Sequence, residues 1–158
     1  MKVGWIGLGI MGAPMAGHLR AAGHELFVTT RSAVPQARLD AGAVACKTAA
    51  EVASKADVIF TMVPDTPDVQ KVLFGDNGIA SALTKGKTVV DMSSISPIET
   101  KEFAKQIEAT GADWLDAPVS GGEVGAKAAS LTIMVGGKDE VFALLQPLLA
   151  LMGKNITH

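Results

Sequence analysis

The chain has 158 residues, a length typical of one domain that buries a substantial hydrophobic core. Its formal net charge of −2 provides no general attraction to nucleic acid or to an anionic membrane, and no apolar run reaches membrane-spanning length. The single cysteine, Cys46, can form no internal disulfide, and the three histidines are scattered, so we expect no metal site. We therefore expect a soluble cytoplasmic protein that has neither a nucleic acid nor a membrane as a partner.

A glycine-rich turn follows the first predicted strand, residues 3–6. In its G-x-G-x-x-G pattern Gly7 allows a tight turn, Gly9 lets the backbone approach a pyrophosphate, and Gly12 lets the next helix pack on the sheet. That helix is predicted over residues 11–22, and its free N-terminal N–H groups favour an anion. The alternative is a tight turn without a ligand in an unrelated α/β protein. The motif predicts a dinucleotide-binding turn that comprises Gly7, Leu8, Gly9, Ile10, Met11 and Gly12.

Strand-like and helix-like stretches alternate along the rest of the chain, which predicts a mostly parallel sheet with helices on both faces. The further predicted strands are residues 25–30, 43–45, 58–63, 88–91, 114–117 and 131–135. Capping boxes at Thr48-Ala49-Ala50-Glu51 and Ser96-Pro97-Ile98-Glu99 predict helices that reach about residues 55 and 110, and a short helix is predicted over 67–74. The last predicted helix begins near Asp139, and Pro147 is expected to kink or break it.

The end of the second predicted strand indicates which dinucleotide is bound. An Asp or Glu at this point holds the adenosine ribose of NAD, but this chain has Thr29-Thr30-Arg31-Ser32. No carboxylate of this segment repels a 2′-phosphate, whereas the Arg31 guanidinium can pair with one and Ser32 can add a hydroxyl donor. We therefore expect Thr30, Arg31 and Ser32 to favour NADP over NAD, which remains possible. The alternative is that Arg31 is a solvated loop charge.

Two longer motifs resemble those of the β-hydroxyacid dehydrogenase family. The family's V-x-x-I-G-L-G-x-M-G-x-P-M is matched by residues 3–15, and its D-A-P-V-S-G-G by residues 116–122 without a change. Similar segments at residues 62–64, 91–94 and 134–137 extend the resemblance over essentially the whole chain. It implies a Rossmann-type, doubly wound α/β fold and an NADP-dependent oxidoreductase that works as a homo-oligomer.

The resemblance also implies roles for residues at the predicted strand ends. Met62, Val63 and Pro64 are expected to line the cofactor near its centre, Asp68 to contact the dinucleotide, and Ser94 to lie near the nicotinamide. Ser120, Gly121 and Gly122 are expected to bind the substrate's carboxylate, because a hydroxyl and unblocked amides form an anion-binding concavity. A plain turn at residues 120–122 and a helix-entry role for Ser94 are the alternatives.

Two departures from the family concern catalysis and one loop. Hydride transfer to an aldehyde creates an alkoxide that needs a proton donor. The family's lysine, in a G-x-G-x-x-x-K-x-x-x-N stretch, has no match here, since Lys127, Lys138 and Lys154 are expected to be surface charges. We therefore expect residues 1–158 to be the dinucleotide-binding domain alone, inactive because the lysine and the family's helical C-terminal domain lie beyond His158. Ala129 replaces a family glycine, so its loop is expected to avoid a positive φ and to change shape.

The implied substrate is a small aldehyde or hydroxyacid that carries a carboxylate, with reduction of tartronate semialdehyde to glycerate as the leading reaction. The alternatives are oxidation of 3-hydroxyisobutyrate, reduction of succinic semialdehyde or glyoxylate, and a nucleotide-binding module without catalysis. A hydrolase and a P-loop NTPase are disfavoured, because neither a nucleophile elbow nor G-x-x-x-x-G-K-[ST] is found.

Overall fold

The computed structural model describes residues 1–31 and 33–158. Its strands are β1 (Lys2–Ile6), β2 (Glu25–Thr29), β3 (Val44–Ala45), β4 (Val58–Thr61), β5 (Thr88–Asp91), β6 (Asp113–Asp116), β7 (Val119–Ser120), β8 (Leu131–Met134) and β9 (Gly153–Thr157). Its helices are α1 (Gly12–Ala21), α2 (Gln36–Asp40), α3 (Ala49–Lys55), α4 (Thr66–Phe74), α5 (Pro97–Glu108), α6 (Gly122–Ala128) and α7 (Asp139–Leu149), with a 3-10 helix at Ile79–Ala82.

The main sheet has six parallel strands in the order β3-β2-β1-β4-β5-β6. The chain runs outward from β1 to β3 and then crosses to β4, so the strand order reverses between β1 and β4. Doubly wound sheets bind ligands in the crevice at the carboxyl ends of the strands beside such a reversal. A smaller sheet, β7-β8-β9, pairs β7 with β8 antiparallel and β8 with β9 parallel.

Alternate residues of the central strands supply two hydrophobic cores, one on each face of the main sheet. On one face Trp5 stacks on Phe60 with ring centroids 5.2 Å apart, under α1 and α7. On the other face Ile6 and Ile59 pack under α3, α4 and α5. Because both faces are covered, β4 and β5 are buried along their whole length and are apolar at their centres, as expected for a parallel sheet.

The predicted fold class is confirmed: an α/β fold with a parallel sheet between two helical layers. Residues 131–135 are correctly predicted as a strand, but β8 belongs to the smaller sheet rather than to the main one. Strands β7 and β9 and helices α2 and α6 were not predicted. Two of these elements, β7 and α2, have two and five residues, which is too short for a hydrophobic period to emerge.

The two predicted capping boxes differ in outcome. At α3, Thr48 accepts a hydrogen bond from the Glu51 N–H at 3.1 Å, as predicted. At α5, Ser96 is the N-cap residue but its side chain makes no capping bond within the described part of the chain. Its backbone N–H instead donates to Thr66 Oγ1 at 3.2 Å, which connects the starts of α5 and α4.

Two expectations about backbone shape are contradicted: Pro147 does not break the last helix, and Ala129 does not avoid a positive φ. Helix α7 continues through Pro147 to Leu149, since the proline lies close to the helix end and Leu145, Leu148 and Leu149 are buried in the core. Ala129 adopts the left-handed conformation, with φ of +55°, at the end of α6. The loop thus keeps the backbone shape that the family's glycine favours, although alanine is strained there. Among residues 1–31 and 33–158, no helix combines the length and apolar character needed to cross a membrane.

Candidate functional site

A cavity of about 780 Å³ lies at the carboxyl ends of β1, β2, β4 and β5, beside the reversal of strand order. Every cofactor-site residue predicted from the sequence lines it, apart from Ser32, which lies outside the described residues. These lining residues are Gly7, Leu8, Gly9, Ile10, Met11, Gly12, Thr30, Arg31, Met62, Val63, Pro64, Asp68 and Ser94. The volume falls in the range of small-molecule pockets in proteins.

The glycine loop after β1 forms the floor of this cavity. Gly7 has a φ of +102°, and a Cβ there would lie 2.0 Å from the Met62 carbonyl oxygen, so only glycine fits. A Cβ at Gly9, by contrast, would meet no protein atom within 4 Å. The N-cap of α1, Met11, provides no side-chain cap among the described residues, which leaves that helix end available to an anion. This arrangement fits a pyrophosphate.

Arg31 lies at the end of β2, where its side chain is 76% exposed. Its Nη1 atom is 3.4 Å from Oδ1 of Asp68, a residue of the first turn of α4. The segment at residues 29–32 has no carboxylate of its own, but the fold brings one to Arg31 from a distant part of the chain. Both residues were predicted to contact the dinucleotide, but their pairing with each other was not predicted.

Further polar residues of the cavity were not identified from the sequence. They are Lys47, Thr48, Lys71, Asp76 and Asn77. Lys47 and Thr48 follow β3, and the carboxyl ends of parallel strands meet at one edge of the sheet. The position after the third predicted strand could therefore have suggested both residues.

The loops after β4 and β5 are joined by buried and partly buried hydrogen bonds. The Val63 N–H donates to Ser93 Oγ at 2.9 Å, and the Ser93 N–H donates to Asp91 Oδ1 at 3.1 Å. Thr61 Oγ1 donates to the same carboxylate oxygen at 2.8 Å. Asp91, Ser93 and Thr61 are buried. The loop that carries Val63 and Pro64 is thus fixed to the loop that carries Ser94.

Asp91 faces a second carboxylate, Asp116, which is its register partner on β6. Burial raises the pKa of Asp91, although its hydrogen bonds with Thr61 and Ser93 act in the opposite direction. Burial, and then the Asp91 carboxylate, raise the pKa of Asp116 to about 6. Because their negative charges repel, two carboxyl groups side by side at the carboxyl ends of β5 and β6 disfavour simultaneous ionisation.

The predicted carboxylate-binding residues Ser120, Gly121 and Gly122 do not line the cavity. They follow β6 and lead into α6, and Gly121 and Gly122 have φ values of +133° and +60°. All three residues are exposed. A hydrogen bond of 2.8 Å between His18 Nε2 and the Ala126 carbonyl connects α6 to α1, the helix of the glycine loop.

The lysines near this segment are surface charges, as predicted. Lys127 pairs with Glu123 at 2.8 Å, and Lys138 lies 3.3 Å from Glu108. Lys154 is exposed. Within residues 1–31 and 33–158, no group of three or more His, Cys, Asp or Glu side chains is arranged to hold a metal ion.

Comparisons with known proteins agree with this geometry. The chain is 60% identical over 157 residues to the 2-hydroxy-3-oxopropionate reductase of Escherichia coli (strain K12), covering 99% of this chain and 54% of that protein. A structure of Mycobacterium tuberculosis 3-hydroxyisobutyrate dehydrogenase with L-serine matches with a TM-score of 0.90 and 34% identity, over 100% of this chain and 54% of that one. A structure of Psf3 in complex with NADP+ and 2-OPP matches with a TM-score of 0.89 and 32% identity, over 98% and 55%.

The chain spans about half the length of these relatives. Their names confirm the resemblance to the hydroxyacid dehydrogenases. A family model described as the NAD binding domain of 6-phosphogluconate dehydrogenase matches residues 2–158. By its glycine loop, its sheet order and this match over nearly its whole length, the chain belongs to that family of NAD-binding domains.

Proposed function

We propose that residues 1–158 are a dinucleotide-binding domain that holds NADP(H) in the cavity and serves an oxidoreductase of small 3-oxo or 3-hydroxy acids. The observation that carries this proposal is the open glycine loop, where a Cβ at Gly9 would meet no protein atom within 4 Å. This open space lies at the N-terminus of α1, where backbone N–H groups and the helix dipole stabilise a pyrophosphate. When bound, the cofactor supplies or accepts a hydride, and the chain's residues bind and orient it.

The preference for NADP(H) rests on the charges at the adenosine end of the cavity. Arg31, Lys47 and Lys71 line the cavity, and a 2′-phosphate gains charge-assisted hydrogen bonds from such groups. Asp68 opposes this preference by occupying one side of the Arg31 guanidinium. Three cations outnumber the two carboxylates of the cavity, Asp68 and Asp76, which favours the more highly charged cofactor.

For the substrate we propose tartronate semialdehyde, reduced to glycerate. The 60% identity to a protein named 2-hydroxy-3-oxopropionate reductase supports this choice. The substrate's carboxylate would be held by the Ser120 hydroxyl and by the amides of Gly121 and Gly122, which carry no side chains to block access. The proton donor is proposed to lie outside residues 1–158, since Lys127 and Lys138 are engaged in surface ion pairs.

A second candidate substrate is 3-hydroxyisobutyrate. It is favoured by the similarity to the Mycobacterium tuberculosis 3-hydroxyisobutyrate dehydrogenase, whose structure was determined with L-serine. Glycerate and 3-hydroxyisobutyrate both carry a carboxylate and a hydroxyl. They differ in the substituent on the carbon that lies between these two groups. The same segment, residues 120–122, can therefore hold either hydroxyacid.

The two candidates are distinguished by titrating the NADPH-loaded chain with glycerate and with 3-hydroxyisobutyrate while following nicotinamide fluorescence. Neither hydroxyacid reacts with the reduced cofactor, so the signal reports binding alone. We expect the fluorescence to respond to glycerate at a lower concentration than to 3-hydroxyisobutyrate. The response should be weaker in Ser120→Ala and unchanged in Ser54→Ala, the matched control at an exposed position. Tighter binding of 3-hydroxyisobutyrate would favour the second candidate, and no response to either would contradict the proposed substrate class.

A further inference from the structure

The hydrogen bonds around Asp91 connect two loops of the cavity that are far apart in sequence. One oxygen, Asp91 Oδ1, accepts from Thr61 Oγ1 at the end of β4 and from the Ser93 N–H after β5. The Ser93 hydroxyl then accepts from the Val63 N–H. Neither Asp91 nor Ser93 lines the cavity, whereas Val63 and Ser94 do. Asp91 can therefore influence a bound ligand only through its neighbours.

Among the described residues, the buried Asp91 carboxyl group has hydrogen-bond partners at only one of its two oxygens. Asp91 has no exposed surface, and in the part of the chain that the structure describes its Oδ2 atom has no hydrogen-bond partner. A buried carboxyl oxygen without a partner carries a desolvation cost that an apolar residue would avoid. Buried polar groups that are retained despite such a cost often fix one conformation among several.

We propose that Asp91 is a positioning residue for the nicotinamide half of the cofactor. By fixing Ser93, it sets the place of the Val63 N–H and thereby holds the loop of Val63 and Pro64 against Ser94. This inference rests on the proposed function, which places a dinucleotide in the cavity. It assigns Asp91 no contact with the ligand, and it predicts that the adenosine end of the cavity does not depend on this hydrogen-bond chain.

Two ligands distinguish effects at the nicotinamide end of the cavity from effects at the adenosine end. NADPH occupies both ends, whereas adenosine 2′,5′-bisphosphate carries the adenosine and the 2′-phosphate but no nicotinamide. Affinities of the whole chain for both are measured by calorimetry, and nicotinamide fluorescence is recorded for bound NADPH. The variants are Ser93→Ala, which removes the acceptor of Val63, Asp91→Ala, and Asp91→Asn, which keeps an acceptor oxygen in the same place. Thr88→Val is the matched control, because Thr88 is a buried residue at the opposite end of the same strand.

We expect Ser93→Ala and Asp91→Ala to weaken NADPH binding about fivefold, the effect of losing about one hydrogen bond, and to change the nicotinamide fluorescence. Affinity for adenosine 2′,5′-bisphosphate should stay unchanged, and Asp91→Asn and Thr88→Val should resemble the unmodified chain. If Asp91→Ala does not fold, Ser93→Ala and Asp91→Asn decide the question.

The positioning role would be overturned if Ser93→Ala lost affinity for both ligands to the same extent, or lost affinity for neither. Equal losses in Asp91→Asn and Asp91→Ala would also overturn it, because the acceptor oxygen would then be irrelevant. If the unmodified chain binds neither ligand, the proposed function itself fails, and this result is distinct from the other two.

Discussion

Arg31 and Asp68 form an ion pair that joins the end of β2 to the first turn of α4, with Nη1 and Oδ1 3.4 Å apart. Both side chains line the cavity, and the arginine is largely exposed. An exposed pair of this kind contributes little to stability, about 0–1 kcal/mol. In the proposed NADP(H) site its importance is electrostatic, because the pair would set the local charge near the 2′-phosphate.

Arg31→Asp should weaken NADPH binding far more than NADH binding, by about tenfold to a hundredfold, because two carboxylates would then repel the 2′-phosphate. Asp68→Asn should act in the opposite sense and raise the ratio of the NADH to the NADPH dissociation constant. Calorimetric titrations with both cofactors measure these ratios. Lys101→Asp, a charge reversal at an exposed position of α5, serves as the control. Equal effects on both cofactors would contradict the assignment of this end of the cavity.

Gly9→Val should abolish binding of both cofactors without unfolding the chain. A Cβ at this position would meet no protein atom within 4 Å, and the valine side chain would occupy the space proposed for the pyrophosphate. Gly7→Val is the informative contrast, since its Cβ would lie 2.0 Å from the Met62 carbonyl oxygen and should prevent correct folding. Circular dichroism melting and cofactor titration of both variants test this. Unchanged cofactor affinity in Gly9→Val would remove the role of the glycine loop.

Ala129→Gly should stabilise the chain by about 1 kcal/mol, because glycine adopts a positive φ without the steric cost that alanine carries. The matched control is Ala128→Gly, one residue earlier and within α6, which should destabilise the chain by about 1 kcal/mol. Urea unfolding gives both free energies. A loss of stability in Ala129→Gly would show that the left-handed conformation at this residue is not strained.

Asp116 should make stability depend on pH. Its folded-state pKa of about 6 lies above the ordinary value of 3.8, so the folded chain binds more protons than the unfolded chain between these two values. The free energy of unfolding therefore falls as the pH rises through this window and stays reduced above it.

Asp116→Asn should accordingly melt a few degrees above the unmodified chain at about pH 7.5, and the difference should shrink towards about pH 4. Asp113→Asn, at the other end of the same strand, is the control, since the side chain of Asp113 is 41% exposed. A difference in melting temperature that is the same at both pH values would contradict the raised pKa.

Local signals in the sequence were sufficient for the main sheet and for the glycine loop, whereas the cavity roles of residues 62–64, Asp68 and Ser94 were implied by the family resemblance. The glycine loop is one continuous segment whose spacing follows from its contacts, and apolar strands alternate with capped helices in the order that a doubly wound sheet requires. The cavity then follows, because the carboxyl ends of parallel strands meet at one edge.

Contacts between distant segments were not predictable in this way. Arg31 and Asp68 are 37 positions apart, and Val63 and Ser93 are 30 apart, so no spacing rule connects either pair. The left-handed Ala129 shows a different limit. Residue preference argued against a positive φ, but the contacts of α6 and β8 on either side determine the loop's shape.

The central claim is tested most directly by calorimetric titration of the chain with NADPH and with NADH, followed by addition of tartronate semialdehyde to the NADPH-loaded sample. We predict that NADPH binds about tenfold more tightly than NADH and is not oxidised when the aldehyde is added, because the proton donor is proposed to lie outside residues 1–158. Failure to bind either cofactor would contradict the proposed domain function, and turnover would show that a proton donor lies within these residues.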